Sequence, residues 1–246
     1  MITIGDLKKN EKVKYYITLA DKCLESLGYT EHGFRHVGWV SYQAGRILRE
    51  LDYPERLAQL AEIAGYLHDI GNSINRLNHE VSGAMIAYDI LKEMGMDYKE
   101  IGIVISAIGT HHEASGYPVS EVSAALILAD KADVHRTRVR TIENLNVDIH
   151  DRVNYASINR EIIISKENRT ISYKIDIDIK IAPVLEFFEI FLDRTIMAQK
   201  AAKVFPALGG ETISPLCPFP IGMNRSIILL DKSSSPGISR FIFCVG

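Results

Sequence analysis

The chain has 246 residues, of which 47% are hydrophobic and 24% charged, and a net charge of -3. That length holds one large domain or a domain with an appendage, and the composition excludes a disordered chain. The charge gives no general electrostatic case for nucleic acid or an anionic membrane, and no apolar run is long enough to cross a bilayer.

The N-terminal "MITIGDLKKNEKVKYY" lacks the basic-then-apolar order of a secretory signal. Cys23, Cys217 and Cys244 form no metal-ligand spacing and leave one cysteine unpaired, so a reducing cytoplasm is the expected setting. Apolar residues at three-to-four spacing then predict helices over Leu7–Leu27, Gly33–Leu51, Pro54–His68, Glu80–Met94, Lys99–His111 and Ser120–Arg136. Pro54 suits a first turn, and Gly28, Gly71 and Gly95 suit helix stops. Residues 1–155 are therefore expected to form one helical domain. "REIIISKENRTISYKIDID", Arg160 to Asp178, has two β-rich runs about Lys166–Arg169 and predicts a hairpin, its second strand alternating cleanly. Helical periodicity resumes from Pro183 to about Phe205, giving a small hairpin-and-helix subdomain over 156–205. The expected class is mostly α, a helical bundle followed by a small α+β appendage.

Residues 206–246 carry Pro206, Pro215, Pro218, Pro220 and Pro236 of the chain's eight prolines. Such composition predicts an irregular tail, an atypical or frameshifted terminus, apart from the short runs "SIILL" and "RFIFCV". The alternative is an extension that pairs with a sheet, in this chain or in a partner subunit of a homodimer.

The histidines cluster near the ends or flanks of successive helices. His36 lies in the second, His68 and Asp69 end the third in "GYLHDIGNS", His79 opens the fourth, His111 and His112 end the fifth, and Asp130 lies late in the sixth. Singly, each has a plain structural alternative as a packed or solvated residue. Jointly they offer imidazole and carboxylate groups, which bind Fe, Mn, Ni or Zn better than Mg or Ca, though Mg remains allowed.

The order His36, His68-Asp69, Asp130 resembles the signature of the HD superfamily of metal-dependent phosphohydrolases. His79 in "NHEVSGA" and His111-His112 in "GTHHEASGYP" resemble the extra histidines of its binuclear branches. The resemblance runs from about Gly28 to Arg140. It implies two divalent ions, with Asp69 bridging, His36, His68 and Asp130 at the first, and His79, His111 and His112 around the second. Two ions about 3.5–4 Å apart clamp attacking and leaving oxygens and acidify water. The implied function is hydrolysis of a phosphate ester of a nucleotide or other small molecule by a metal-activated water. Alternatives are a cyclic-dinucleotide or dinucleoside-polyphosphate phosphodiesterase, which the "HHE…GYP" element echoes, and a catalytically weak nucleotide-binding or metal-sensing protein. Where many members read "HDIGK", this chain has Asn72, which has no ammonium proton to give. Lys131 is the expected substitute in catalysis and phosphate binding. Arg136 and Arg138 in "HRTRVR" are expected phosphate partners, with a solvated basic run as the alternative. His32, four residues before His36, would share its face if the helix began that early.

Overall fold

In the computed structural model, residues 1–168, 170–205, 227–232 and 238–244 are described, and they divide into two compact units, Met1–Asp130 and Lys131–Gly246. The first is all helical: α1 (Ile4–Lys9), α2 (Glu11–Ser26), α3 (Phe34–Glu50), α4 (Glu55–Leu67), a 3-10 turn (Ile70–Ser73), α5 (His79–Glu93), α6 (Tyr98–Gly109) and α7 (Glu121–Lys131). The unbroken helix expected over Leu7–Leu27 is instead two. Asn10 ends α1 and caps α2, its side chain accepting from the Lys12 and Val13 amides, which satisfies donors the new helix leaves open. Gly28 and Gly95 end α2 and α5 with positive φ, as expected.

The core of this unit is aliphatic. Val40, Ala44, Ile47 and Leu48 of α3 are fully buried, as are Ile63, Ala64 and Leu67 of α4, and these two helices pack on one another. In α7 every residue from Ala124 to Ala129 is fully buried, the mark of a helix enclosed on all sides. The turn after α4 packs against α2 and α5. Gly71 permits this, since a Cβ there would lie 1.9 Å from the His79 carbonyl oxygen and 2.4 Å from the Gly83 nitrogen. It is therefore not a helix stop but a point of close approach.

The second unit holds short 3-10 turns at Arg136–Arg138 and Ile142–Asn146, α8 (Ile149–Ala156), strands β1 (Ser157–Ser165) and β2 (Thr170–Asp178), α9 (Val184–Ala202), β3 (Ile227–Lys232) and β4 (Ile238–Cys244). The expected hairpin is β1–β2, pairing Ile162 with Tyr173 and Ile164 with Ile171. The sheet has four antiparallel strands in the order β1-β2-β4-β3. The fold is mostly α with a small α+β appendage.

The first compact unit closes at Asp130, and α8 beyond it packs with α9 and β1. One expectation needs correction. The expected irregular tail contains two strands: β4 pairs with β2, setting Asp176 opposite Arg240, and β3 pairs with β4. The prolines fall outside both strands, and the apolar runs cover the edge β2 would otherwise leave open. β2, paired on both edges, is buried at seven of its nine positions. Residues 206–226 and 233–237 of that tail lie outside the described residues.

Candidate metal centre

Five helices of the first unit and the turn after α4 bring imidazoles and carboxylates to one place. His36, two residues into α3, is fully buried, as is His68 at the end of α4. Asp69 opens the turn that follows, His79 begins α5, His111 follows α6, and Asp130 closes the first unit on α7. None is more than 8% exposed. His68 caps α4 and Asp69 caps the 3-10 turn after it, so the two adjacent side chains both reach the same cluster.

Asp69 stands between two pockets. Its Oδ2 lies 3.4 Å from His36 Nε2 and 3.3 Å from His68 Nε2. Asp130 Oδ1 joins that side, 3.5 Å from His36 Nε2 and 3.7 Å from His68 Nε2. The other oxygen of Asp69, Oδ1, lies 3.5 Å from His79 Nε2 and 4.0 Å from His111 Nε2. The ligand atoms of His36, His68 and Asp130 all lie within 4.8 Å of one another, as do those of His68, Asp69 and His111.

The tautomers follow from the far side of each ring. The Nδ1 atoms of His68, His79 and His111 lie 2.9, 3.0 and 2.6 Å from the carbonyl oxygens of Gly65, Arg76 and Ile108. A carbonyl only accepts, so each Nδ1 donates, and a neutral ring then presents a lone pair at Nε2. His79 and His111 thus face each other with two lone pairs 3.3 Å apart. Two acceptors in that arrangement repel; Arg76 Nη1, 3.4 Å from His79 Nε2, reaches only one of them, and a cation lying against both would relieve it. The donor set therefore fits a divalent metal, and backbone carbonyls hold the rings as such sites require.

Charge is arranged differently in the two pockets. Burial depresses His68, but the carboxylates of Asp69 and Asp130 outweigh it and raise its pKa to about 10. Asp69 is opposed by burial yet held well below the carboxylate range by His68 and His36. His79 goes the other way: burial, with Arg76 and His112 adding to it, lowers its pKa to about 4. The two pockets thus shift their imidazoles in opposite directions, His68 upward beside two carboxylates and His79 downward by burial.

Other groups brace the ligands. Asn72 is buried, and its amide donates to the Asp69 backbone carbonyl at 2.9 Å and to Asp69 Oδ1 at 3.0 Å. Glu80 Oε1 accepts from Ser115 Oγ at 2.6 Å, while Oε2 lies 3.5 Å from His79 Nδ1. Burial raises the Glu80 pKa, but the Ser115 bond and the nearby histidines bring it below the usual value.

Several expected residues lie elsewhere. His112 is half-buried; its ring meets that of His79 edge-on at 4.9 Å, but its Nδ1 faces Glu113 at 3.3 Å. It does not join the ligand atoms, because it follows His111 on a chain already leaving the helix. Helix α3 begins at Phe34, so His32 is not on its face; its ring still packs edge-on to His36 at 5.2 Å. Lys131 ends α7 and is buried, as the first residue of the second unit. Arg138 is no phosphate rim: it is 1% exposed, and its Nη1 donates to the Asp133 carbonyl at 2.7 Å. Arg136 lies over the Tyr155 ring at 5.3 Å.

Two residues escaped the sequence reading, Arg76 and Glu80. The signal for Arg76 was its spacing, four after Asn72 and three before His79.

The HD domain family model matches residues 33–155, half of the chain, and spans every ligand named above. The chain belongs to the HD-domain family. That family comprises metal-dependent phosphohydrolases that bind divalent metals. The chain is similar to ribonuclease Y of Oceanobacillus iheyensis, 36% identical over 118 residues. It is also similar to ribonuclease Y of Bacillus thuringiensis strain Al Hakam and of Geobacillus thermodenitrificans, each 34% identical over 118 residues. Each match covers 47% of this chain and 21% of the relative, so the HD-domain chain spans about a fifth of those proteins' length. No solved structure matches. Among the described residues no helix is long and apolar enough to cross a membrane.

Proposed function

We propose that this HD-domain protein hydrolyses a phosphate ester of a nucleotide or other small molecule, and that Asp69 bridges two divalent ions. His36, His68 and Asp130 would complete the first site and His79 and His111 the second. One observation carries the reading: the two oxygens of Asp69 face two separate sets of imidazole nitrogens, one set being a pair of opposed lone pairs. Imidazole with carboxylate favours Fe, Mn, Ni or Zn.

Bound there, such ions supply Lewis acidity to a phosphoryl oxygen and lower the pKa of water. The chain's own groups fix the geometry. Asn72 holds the Asp69 carboxylate in place, and three backbone carbonyls hold the rings with Nε2 forward. Burial of the ligands keeps bulk water from competing and strengthens every charge interaction in the site. Lys131 and Arg136 stay proposed phosphate partners on the sequence reading alone.

A second reading has a specific basis. The relatives' name, ribonuclease Y, points to a phosphodiester in RNA. The net charge of -3 supports no general nucleic-acid affinity, which leaves a short oligonucleotide as the version to test. Protein reconstituted with Mn²⁺ should be assayed against p-nitrophenyl phosphate, bis-p-nitrophenyl phosphate, cyclic dinucleotides, dinucleoside polyphosphates and short RNA. Turnover of a small ester that chelation abolishes supports the first reading, and turnover confined to RNA supports the second. Metal-loaded protein inert on the whole panel would leave a binding or sensing role.

A further inference from the structure

The first unit has five arginines, and four are committed to carboxylates. Arg35 pairs with Glu31, Arg46 with Glu50, Arg49 with Glu55 and Glu62, and Arg56 with Glu100. Arg76 is the exception: among the described residues no carboxylate pairs with it. Its half-buried guanidinium is aimed at the candidate metal centre. Nη1 lies 3.4 Å from His79 Nε2 and 3.4 Å from Asn72 Oδ1. The guanidinium carbon sits 5.4 Å from the Tyr29 ring centroid, which steadies the cation by its face and leaves edge donors free.

We propose that Arg76 is the residue that receives the substrate's phosphoryl group beside the second pocket; the assignment rests on the metal reading of that pocket. A guanidinium has five donors and no acceptor. One of its donors meets the lone pair of His79, the atom that would ligate the second ion. A metal and that donor cannot both use one lone pair. Metal uptake therefore frees Nη1 and sets a guanidinium next to a divalent cation, an arrangement that an anion reconciles. A phosphoryl group suits both partners, since arginine binds its oxygens through paired N–H donors. Asn72, which anchors Asp69 through its amide nitrogen, turns its carbonyl oxygen to Arg76 and so links the cation to the bridging carboxylate.

The opposite signs of two effects distinguish this role from a merely structural one. Arg76 competes with metal for His79 but would cooperate with metal in holding phosphate. Mn²⁺ binding and the binding of inorganic phosphate to Mn²⁺-loaded protein should be measured by calorimetry for wild type, Arg76→Ala, Arg76→Gln and Arg76→Lys, each with a melting curve. Removing the guanidinium should leave the second Mn²⁺ bound as tightly or more tightly, while phosphate binding weakens by about ten- to a hundredfold. Lysine should restore part of the loss, and glutamine, which covers the case of an unfolded alanine variant, should not. Unchanged phosphate binding in Arg76→Ala and Arg76→Gln would overturn the assignment while leaving the metal reading standing. Joint loss of the second Mn²⁺ and phosphate would make Arg76 a structural support of His79 and overturn it too. A wild-type protein that takes up no Mn²⁺ would bring down the metal reading, and this assignment with it.

Discussion

The two pockets flanking Asp69 use similar ligands but opposite electrostatics. The first has two carboxylates, which raise the His68 pKa to about 10. The second has a single carboxylate oxygen and a guanidinium beside it, and His79 is lowered to about 4. The difference lies in the neighbouring charges: two carboxylates face His68, whereas burial and the Arg76 guanidinium act on His79.

The largest effect should come from the residue the pockets share. Asp69→Ala should remove both ions and all turnover, seen as loss of metal by elemental analysis; full metal content and activity would break the two-pocket account. Variants of one side come next. Replacing His36, His68 or Asp130 should empty the first pocket and, as the better-charged site, carry the second with it. His79→Ala and His111→Ala should keep about one ion yet lose most activity. Histidines that only pack would lower the melting temperature with metal stoichiometry unchanged.

A smaller effect separates the pockets by pH in chelated protein. His79, near 6.5 when unfolded and about 4 when folded, makes stability fall as pH drops through that window. His68, near 6.5 unfolded and about 10 folded, contributes fully below 6.5 and loses that contribution as pH rises through 10. Asp69 and Glu80, both held low, extend the acid loss further down. The melting temperature should therefore fall on both sides of a maximum near pH 6.5. His79→Ala should flatten the acid limb and His68→Ala the alkaline one; limbs unchanged by either variant would contradict the charge assignment.

Local packing and the tail should matter least to the ions. Gly71→Ala places a Cβ against the His79 carbonyl, an overpacking that costs about 1–3 kcal/mol and should lower the melting temperature. Deleting residues after Ala207 removes the strand that covers β2. It should leave metal content intact, since all ligands lie in the first unit, but cause aggregation visible in light scattering. A monodisperse truncated protein would mean that β4 is dispensable.

Much of this was legible because it is local or periodic. Amphipathic spacing marks α3 to α7, and β-branched runs mark the hairpin. Ligands at helix ends were legible because imidazole and carboxylate recur there in a familiar order. What sequence could not give depends on long-range contact. The pairing of β2 with β4 joins segments far apart in sequence across proline-dense chain, so it left no local signal. The basic run of Arg136 to Arg140 looked like a solvated or phosphate-facing stretch, yet Arg138 is folded inward onto Asp133. His111 and His112 are adjacent and chemically alike, and only the end of α6 decides which one turns in. Arg76 carried no signal beyond its spacing, because its approach to Asn72 and His79 shows only in the folded chain.

The central claim is that Asp69 is shared by two metal sites. Anomalous X-ray diffraction from crystals of the Mn²⁺-loaded protein tests it most directly. The account predicts two peaks, one against Nε2 of His36 and His68 with Asp130, the other against Nε2 of His79 and His111, with an Asp69 oxygen at each. A single peak served by one Asp69 oxygen, or none at this cluster, would contradict it.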